Sequence, residues 1–99
     1  MTISFERSGG FAARQLNYSV NSDELSEVDR NQLEQLVNAS GFFDLPEQIK
    51  APPGAADVFQ FKITLQDDGR EHTVEFDQTV SPAALKPLLQ WLNAHARAA

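Results

Sequence analysis

Phe59-Gln60-Phe61-Lys62-Ile63-Thr64-Leu65-Gln66-Asp67-Asp68-Gly69-Arg70-Glu71-His72-Thr73-Val74-Glu75-Phe76 decides the fold. Phe59, Phe61, Ile63 and Leu65 alternate with Gln60, Lys62, Thr64 and Gln66. After the turn, His72, Val74 and Phe76 alternate with Glu71, Thr73 and Glu75. A period of two belongs to extended chain, whose side chains point to opposite faces in turn. Asp67-Asp68-Gly69 supplies residues that tolerate positive φ, so the stretch reads as a β-hairpin with one apolar and one wet face.

The N-terminal region repeats the pattern. Ile3, Phe5 and Arg7 share one parity; Thr2, Ser4, Glu6 and Ser8 share the other. Gly9-Gly10 suits a primed hairpin turn. The return strand sets Arg14, Leu16, Tyr18 and Val20 against Gln15, Asn17, Ser19 and Asn21. Ser26 then caps a helix with Asp29 in its first turn, and Leu33, Leu36 and Val37 form its apolar stripe. Gly41 is its left-handed terminator, with Phe42 folding back on Val37. A second helical stripe, Leu85, Leu88, Leu89 and Leu92 with Trp91 beside it, follows a Ser81-Pro82 cap. Pro87 divides it into a single turn over 82–86 and a new helix beginning at Pro87.

These elements predict an α+β fold: a four-stranded antiparallel sheet in ββαββα order with both helices on one face. Residues 1–99 form a single domain, and Phe61, Val74, Leu36 and Leu89 contribute to its core. The remaining segment, from about Glu47 to Asp57, has no periodicity and reads as a loop. Pro52-Pro53 there removes two adjacent backbone donors.

Composition excludes several chemistries. Eight Lys and Arg against fourteen Asp and Glu give a net charge of −6, which offers no electrostatic footprint for nucleic acid or an anionic membrane. The absence of cysteine removes disulfides, thiolate metal sites and cysteine nucleophiles. No signal peptide or membrane-spanning run is visible, so the expectation is a cytoplasmic chain. His72 and His95 lie on different elements without companion ligands, so neither a metal site nor a cofactor is expected. His72 has the parity of the core face, and His95 reads as an exposed helix-end residue. Glu71 and Glu75 belong to the wet face rather than to a desolvated acid–base pair. Asp23, Glu24, Glu27, Asp29 and Glu34 gather around the first helix, mostly where its dipole favours negative charge. No catalytic constellation emerges, and the chain is read as a non-enzyme.

Gly9-Gly10-Phe11, Ala39-Ser40-Gly41-Phe42-Phe43-Asp44-Leu45-Pro46, Pro52-Pro53-Gly54-Ala55-Ala56-Asp57 before Phe59-Gln60-Phe61, His72-Thr73-Val74 and Pro87-Leu88-Leu89-Gln90-Trp91-Leu92 together resemble the emfourin family. The resemblance spans almost the whole chain. It implies a small cytoplasmic bacterial protein that inhibits a thermolysin-like zinc metallopeptidase. For such a role three mechanisms stand open: a stiff substrate-like loop, a carboxylate on the target zinc, and steric capping by two loops. Capping is preferred. The candidate partner-binding residues are Gly9, Gly10 and Phe11 in the first connection and Ile49, Pro52, Pro53, Gly54 and Asp57 in the second. Phe11 or Ile49 is the apolar anchor and Asp57 the available carboxylate; glycine admits close backbone approach and proline stiffens the loop. The free protein is expected to be a monomer. The alternative reading is a non-catalytic interaction module or adaptor that uses the polar sheet face or the acidic helix.

Overall fold

The computed structural model describes residues 1–9, 15–49 and 58–98. Five strands form one sheet: β1 (Thr2–Gly9), β2 (Leu16–Asn21), β3 (Gln48–Ile49), β4 (Phe59–Asp67) and β5 (Arg70–Asp77). Two helices, α1 (Glu27–Ser40) and α2 (Lys86–Ala98), complete the α+β architecture. The strand order is β2-β1-β4-β5-β3. The pairs β1–β2, β1–β4 and β4–β5 are antiparallel, and β3 pairs parallel to β5.

The expectation of four antiparallel strands is therefore corrected to a mixed sheet of five. Two residues cannot display a period, which is why β3 reads as loop in the sequence. Its partner defines it: the Glu75 N–H donates to the Glu47 carbonyl at 2.8 Å, and Gln48 and Ile49 stand opposite Glu75 and Phe76. The direction of β3 is set one turn earlier. Gly41 ends α1 in the left-handed region (φ 62°, ψ 37°), and a single turn over Phe42–Asp44 follows. The His72 Nε2–H then donates to the Leu45 carbonyl at 2.6 Å, with the ring edge-on to Phe42 at 5.7 Å between centroids. This clamp pins the chain beside the start of β5, so it runs onward in the same direction as β5. His72 is thus a half-buried structural histidine, in keeping with its parity.

The second hairpin turns at Asp68 (φ 51°) and Gly69 (φ 78°), two consecutive positive φ values that match the twist of the flanking strands. The Ser26 hydroxyl accepts from the Asp29 N–H at 3.2 Å and caps α1. At the other helix, Pro82 rather than Ser81 precedes a single turn over Ala83–Leu85. Its extended backbone (ψ 138°) moves the turn one residue later than the Ser81 cap implies. Pro87 then falls at the second residue of α2, where a missing N–H breaks no helical bond.

One apolar layer joins sheet and helices. Ile3, Phe5, Phe61, Ile63, Leu65, Val74 and Phe76 meet Leu33 and Val37 of α1 and Leu88, Trp91 and Leu92 of α2. The rings of Phe5, Phe61 and Phe76 form a row, with centroids 6.1 and 5.3 Å apart. Leu36 and Leu89 are only half-buried at the edge of this layer; Leu33 and Leu88 hold the central positions instead. On the opposite face Asn17, Ser19, Gln60, Lys62, Glu71 and Glu75 are exposed. Register pairs there close hydroxyl bridges, Ser4 to Ser19 at 3.2 Å and Thr64 to Thr73 at 2.9 Å. His95 departs from its reading as an exposed residue. Its ring stacks on Trp91 at 3.6 Å, and Nδ1 donates to the Trp91 carbonyl at 2.9 Å, because residues four apart share a helix face.

Candidate functional site

Register places the anchors of both candidate loops at one end of the sheet. Gly9, the last residue of β1, stands opposite Phe59, the first of β4. Leu16 opens β2 opposite Arg7, Ile49 leaves β3 opposite Phe76, and Gln60 faces Asp77. The residues that flank 10–14 and those that flank 50–57 therefore share this end. Gly9 and Ile49 lie on strands three spacings apart, roughly 14 Å at about 4.8 Å per spacing.

Gly9 is needed for this junction. Its φ is +84°, and a Cβ built there would meet the Val58 carbonyl oxygen at 3.1 Å. The sequence suggests a tight hairpin turn at Gly9-Gly10; Gly10 lies outside the described residues, and the register of β1 with β2, Arg7 opposite Leu16, leaves eight residues between that pair. Pairing with β2 stops at Arg7, while Ser8 and Gly9 continue along β4. The extra length follows from β1 being a central strand, which holds β4 after it has released β2.

The side chains at this end come from three elements. Arg7 continues the inward row of Ile3 and Phe5. Its Nη1–H donates to Asn93 Oδ1 of α2 at 2.8 Å, and its guanidinium lies over the Phe59 ring, 4.7 Å from the centroid. Asn93 is itself oriented, its Nδ2–H donating to the Leu89 carbonyl at 3.1 Å. Gln78 closes the end of β5, accepting weakly from the Phe59 N–H at 3.4 Å. Between these groups and α2 lies an open cleft of about 410 Å³, rimmed by Leu89, Gln90 and Arg97. Asp77, nearly buried, uses its carboxylate to accept from the Thr79 N–H at 2.7 Å and holds the turn after β5.

Of the sequence candidates, Gly9 and Ile49 fall in the described residues, at this end, with Ile49 half-buried on the core. Gly10, Phe11, Pro52, Pro53, Gly54 and Asp57 lie outside the described residues. Sequence reasoning overlooked the Arg7–Phe59–Asn93 cluster. Its available signal was a charge at core parity, Arg7 after Ile3 and Phe5, which needs a partner wherever it is buried.

The other polar clusters lack this preorganisation. At the far end, a cleft carries Asp23, Glu34, Asp44 and Asp67 against Arg70, whose guanidinium lies 4.1 Å from the Phe43 ring centroid. On the wet face Lys62 meets Glu6 at 3.9 Å, with both ends in solvent. Among the described residues no three His, Asp or Glu side chains converge to hold a metal ion, and no helix is long and apolar enough to cross a membrane. Tyr18, opposite Phe5, is held above the ordinary tyrosine pKa, first by burial and then by the Asp29 carboxylate.

Comparison with known proteins supplies the remaining observations. The Emfourin family model matches residues 5–93. Among solved structures, emfourin from Serratia proteamaculans, described as an M4 family peptidase inhibitor, is similar at 25% identity. That match covers 91% of this chain and 84% of the other, with a TM-score of 0.47. No curated protein matches the chain.

Proposed function

The chain belongs to the emfourin family, and from that premise we propose that it inhibits a thermolysin-like zinc metallopeptidase of the M4 kind. Family membership over residues 5–93 carries this reading. The emfourin family is one of peptidase inhibitors rather than enzymes, and the chain acts by binding, with no catalytic step of its own. The peptidase supplies the zinc; the inhibitor supplies a shape.

The blocking element in this reading is the sheet end that carries Gly9, Ile49 and Phe59. Two observations support it. Both candidate segments, 10–14 and 50–57, are tethered there to strands held by the core. Gly9, at the base of the first segment, and Ile49, at the base of the second, lie on strands three spacings apart, wide enough for two loops to flank an extended-peptide cleft. A scaffold whose ladder holds the loop bases loses little further entropy on binding, which favours affinity. The test is a titration of a thermolysin-like zinc peptidase with the purified protein after preincubation. A stoichiometric fall in activity supports the reading. Full activity at a large molar excess of the protein would overturn it.

A further inference from the structure

Among the described residues, the cleft between β1, β4 and α2 carries a charge opposite to that of the clefts at the far end and on the wet face. The chain carries fourteen Asp and Glu against eight Lys and Arg. The clefts at the far end and on the wet face follow that balance: Asp23, Glu34, Asp44 and Asp67 outnumber Arg70 in one, and Glu47, Glu71 and Glu75 outnumber Lys62 in the other. Among the described residues, the cleft at the Gly9–Phe59 end is lined by Arg7 and Arg97 and by no carboxylate.

Arg7 is also positioned. One of its N–H groups is given to Asn93 Oδ1, a neutral acceptor whose amide is fixed by the Leu89 carbonyl. One face of the guanidinium is covered by Phe59. No ion pair joins it to a carboxylate among the described residues. A guanidinium carries five N–H donors in a rigid fork that matches carboxylate geometry. With one donor used and the plane fixed, the remaining edge is a preorganised carboxylate receptor beside an apolar floor of Phe59 and Leu89.

Resting on the inhibitor reading above, we propose that this cleft receives an acidic side chain of the target peptidase, held by the Arg7 fork, with Arg97 on the rim steering it in. The partner surface that fits carries an Asp or Glu beside an apolar residue at the edge of the peptidase cleft. Charge complementarity selects it: a second copy of this acidic chain offers mostly repulsion elsewhere, and a cationic segment would be repelled here.

The experiment compares inhibition by the parent protein with Arg7→Gln, Arg7→Lys, Arg97→Gln and Asn93→Leu at low and high salt. Arg7→Gln weakens inhibition tenfold or more, since it removes the buried-side partner of a charge-assisted pair. Arg7→Lys recovers only part of this, because an ammonium lacks the fork. Asn93→Leu loses affinity with the charge intact, and Arg97→Gln changes chiefly the association rate. The denaturant midpoint of each variant is measured alongside. If the parent inhibits and a folded Arg7→Gln variant inhibits equally well, the receptor is overturned while the inhibitor reading stands. A parent that inhibits no such peptidase overturns both. Should Arg7→Gln fail to fold, the parent itself decides: affinity falling severalfold between 50 and 500 mM salt supports the receptor, and affinity independent of salt overturns it.

Discussion

Gly9 and Phe59 stand opposite each other as the last residue of β1 and the first of β4, and this single register pair ties the two candidate loops to one point of the sheet. Everything proposed about partner binding starts from it. If β1 ended where β2 releases it, at Arg7, the first connection would hang from an edge. Its continuation along β4 makes the base of that connection part of the central ladder.

The junction predicts an asymmetry between two glycines. Gly9 and Gly69 both have positive φ, +84° and +78°, but only Gly9 has a neighbour, the Val58 carbonyl, within 4 Å of an added Cβ. Gly69→Ala is expected to cost only the left-handed strain, about 1–2 kcal/mol. Gly9→Ala costs that and the displacement of a backbone carbonyl. Urea midpoints measure both; equal losses would show that the β1–β4 end gives way freely.

Phe61→Ala is expected to destabilise the protein by about 3–5 kcal/mol. The ring is 6% exposed and sits between Phe5 and Phe76, so its removal opens the middle of the aromatic row. An unchanged denaturant midpoint would mean that this row is not the core.

His72→Leu should cost about 1–3 kcal/mol, because it leaves the Leu45 carbonyl without its donor. A carbonyl only accepts, so Nε2 carries the hydrogen, and nitrogen-15 shifts of the imidazole are expected to report the Nε2–H tautomer in the neutral ring. An Nδ1–H tautomer would contradict the clamp that directs β3.

Tyr18 is the one tyrosine in the chain, so phenolate absorbance titrates it alone. Burial and Asp29 place its folded-state pKa above the ordinary value near 10. The folded state then retains the proton that the unfolded state has lost. The resulting stabilisation is present in full below pH 10 and declines as the pH rises from about 10 through the folded pKa. Tyr18→Phe should abolish this decline, and Asp29→Asn should lower the pKa of the phenol. A phenol titrating at or below 10 in the folded protein would refute the assignment.

Both hairpins and both helices were legible because their residues repeat: Phe61, Ile63 and Leu65 at period two, and Leu85, Leu88 and Leu92 at helical spacing. The strand β3 was not, since Gln48 and Ile49 owe their conformation to β5 and to the His72 clamp, contacts 27 residues apart in sequence. Leu36 and Leu89 show the related limit of a stripe, which gives the buried side of a helix but not the centre of its contact. At the site, Gly9 and Ile49 were read from the sequence as partner-contact residues, and the structure places them at the bases of the two candidate segments. The orientation of Arg7 was not, because Asn93 stands 86 positions away and nothing local to either residue couples them.

The most direct test compares inhibition of a thermolysin-like zinc peptidase by three proteins: the parent, a variant with the Pro52–Ala56 segment shortened, and the Glu71→Lys, Glu75→Lys double variant. All three are first shown to unfold with the cooperativity of the parent. The account predicts that shortening the segment weakens inhibition about thirtyfold or more, the loss of roughly 2 kcal/mol expected for one central anchor, while the sheet-face reversals change it little. Parent-like inhibition by the shortened variant, with inhibition abolished by the reversals at Glu71 and Glu75, would place the binding surface on the wet face and contradict it.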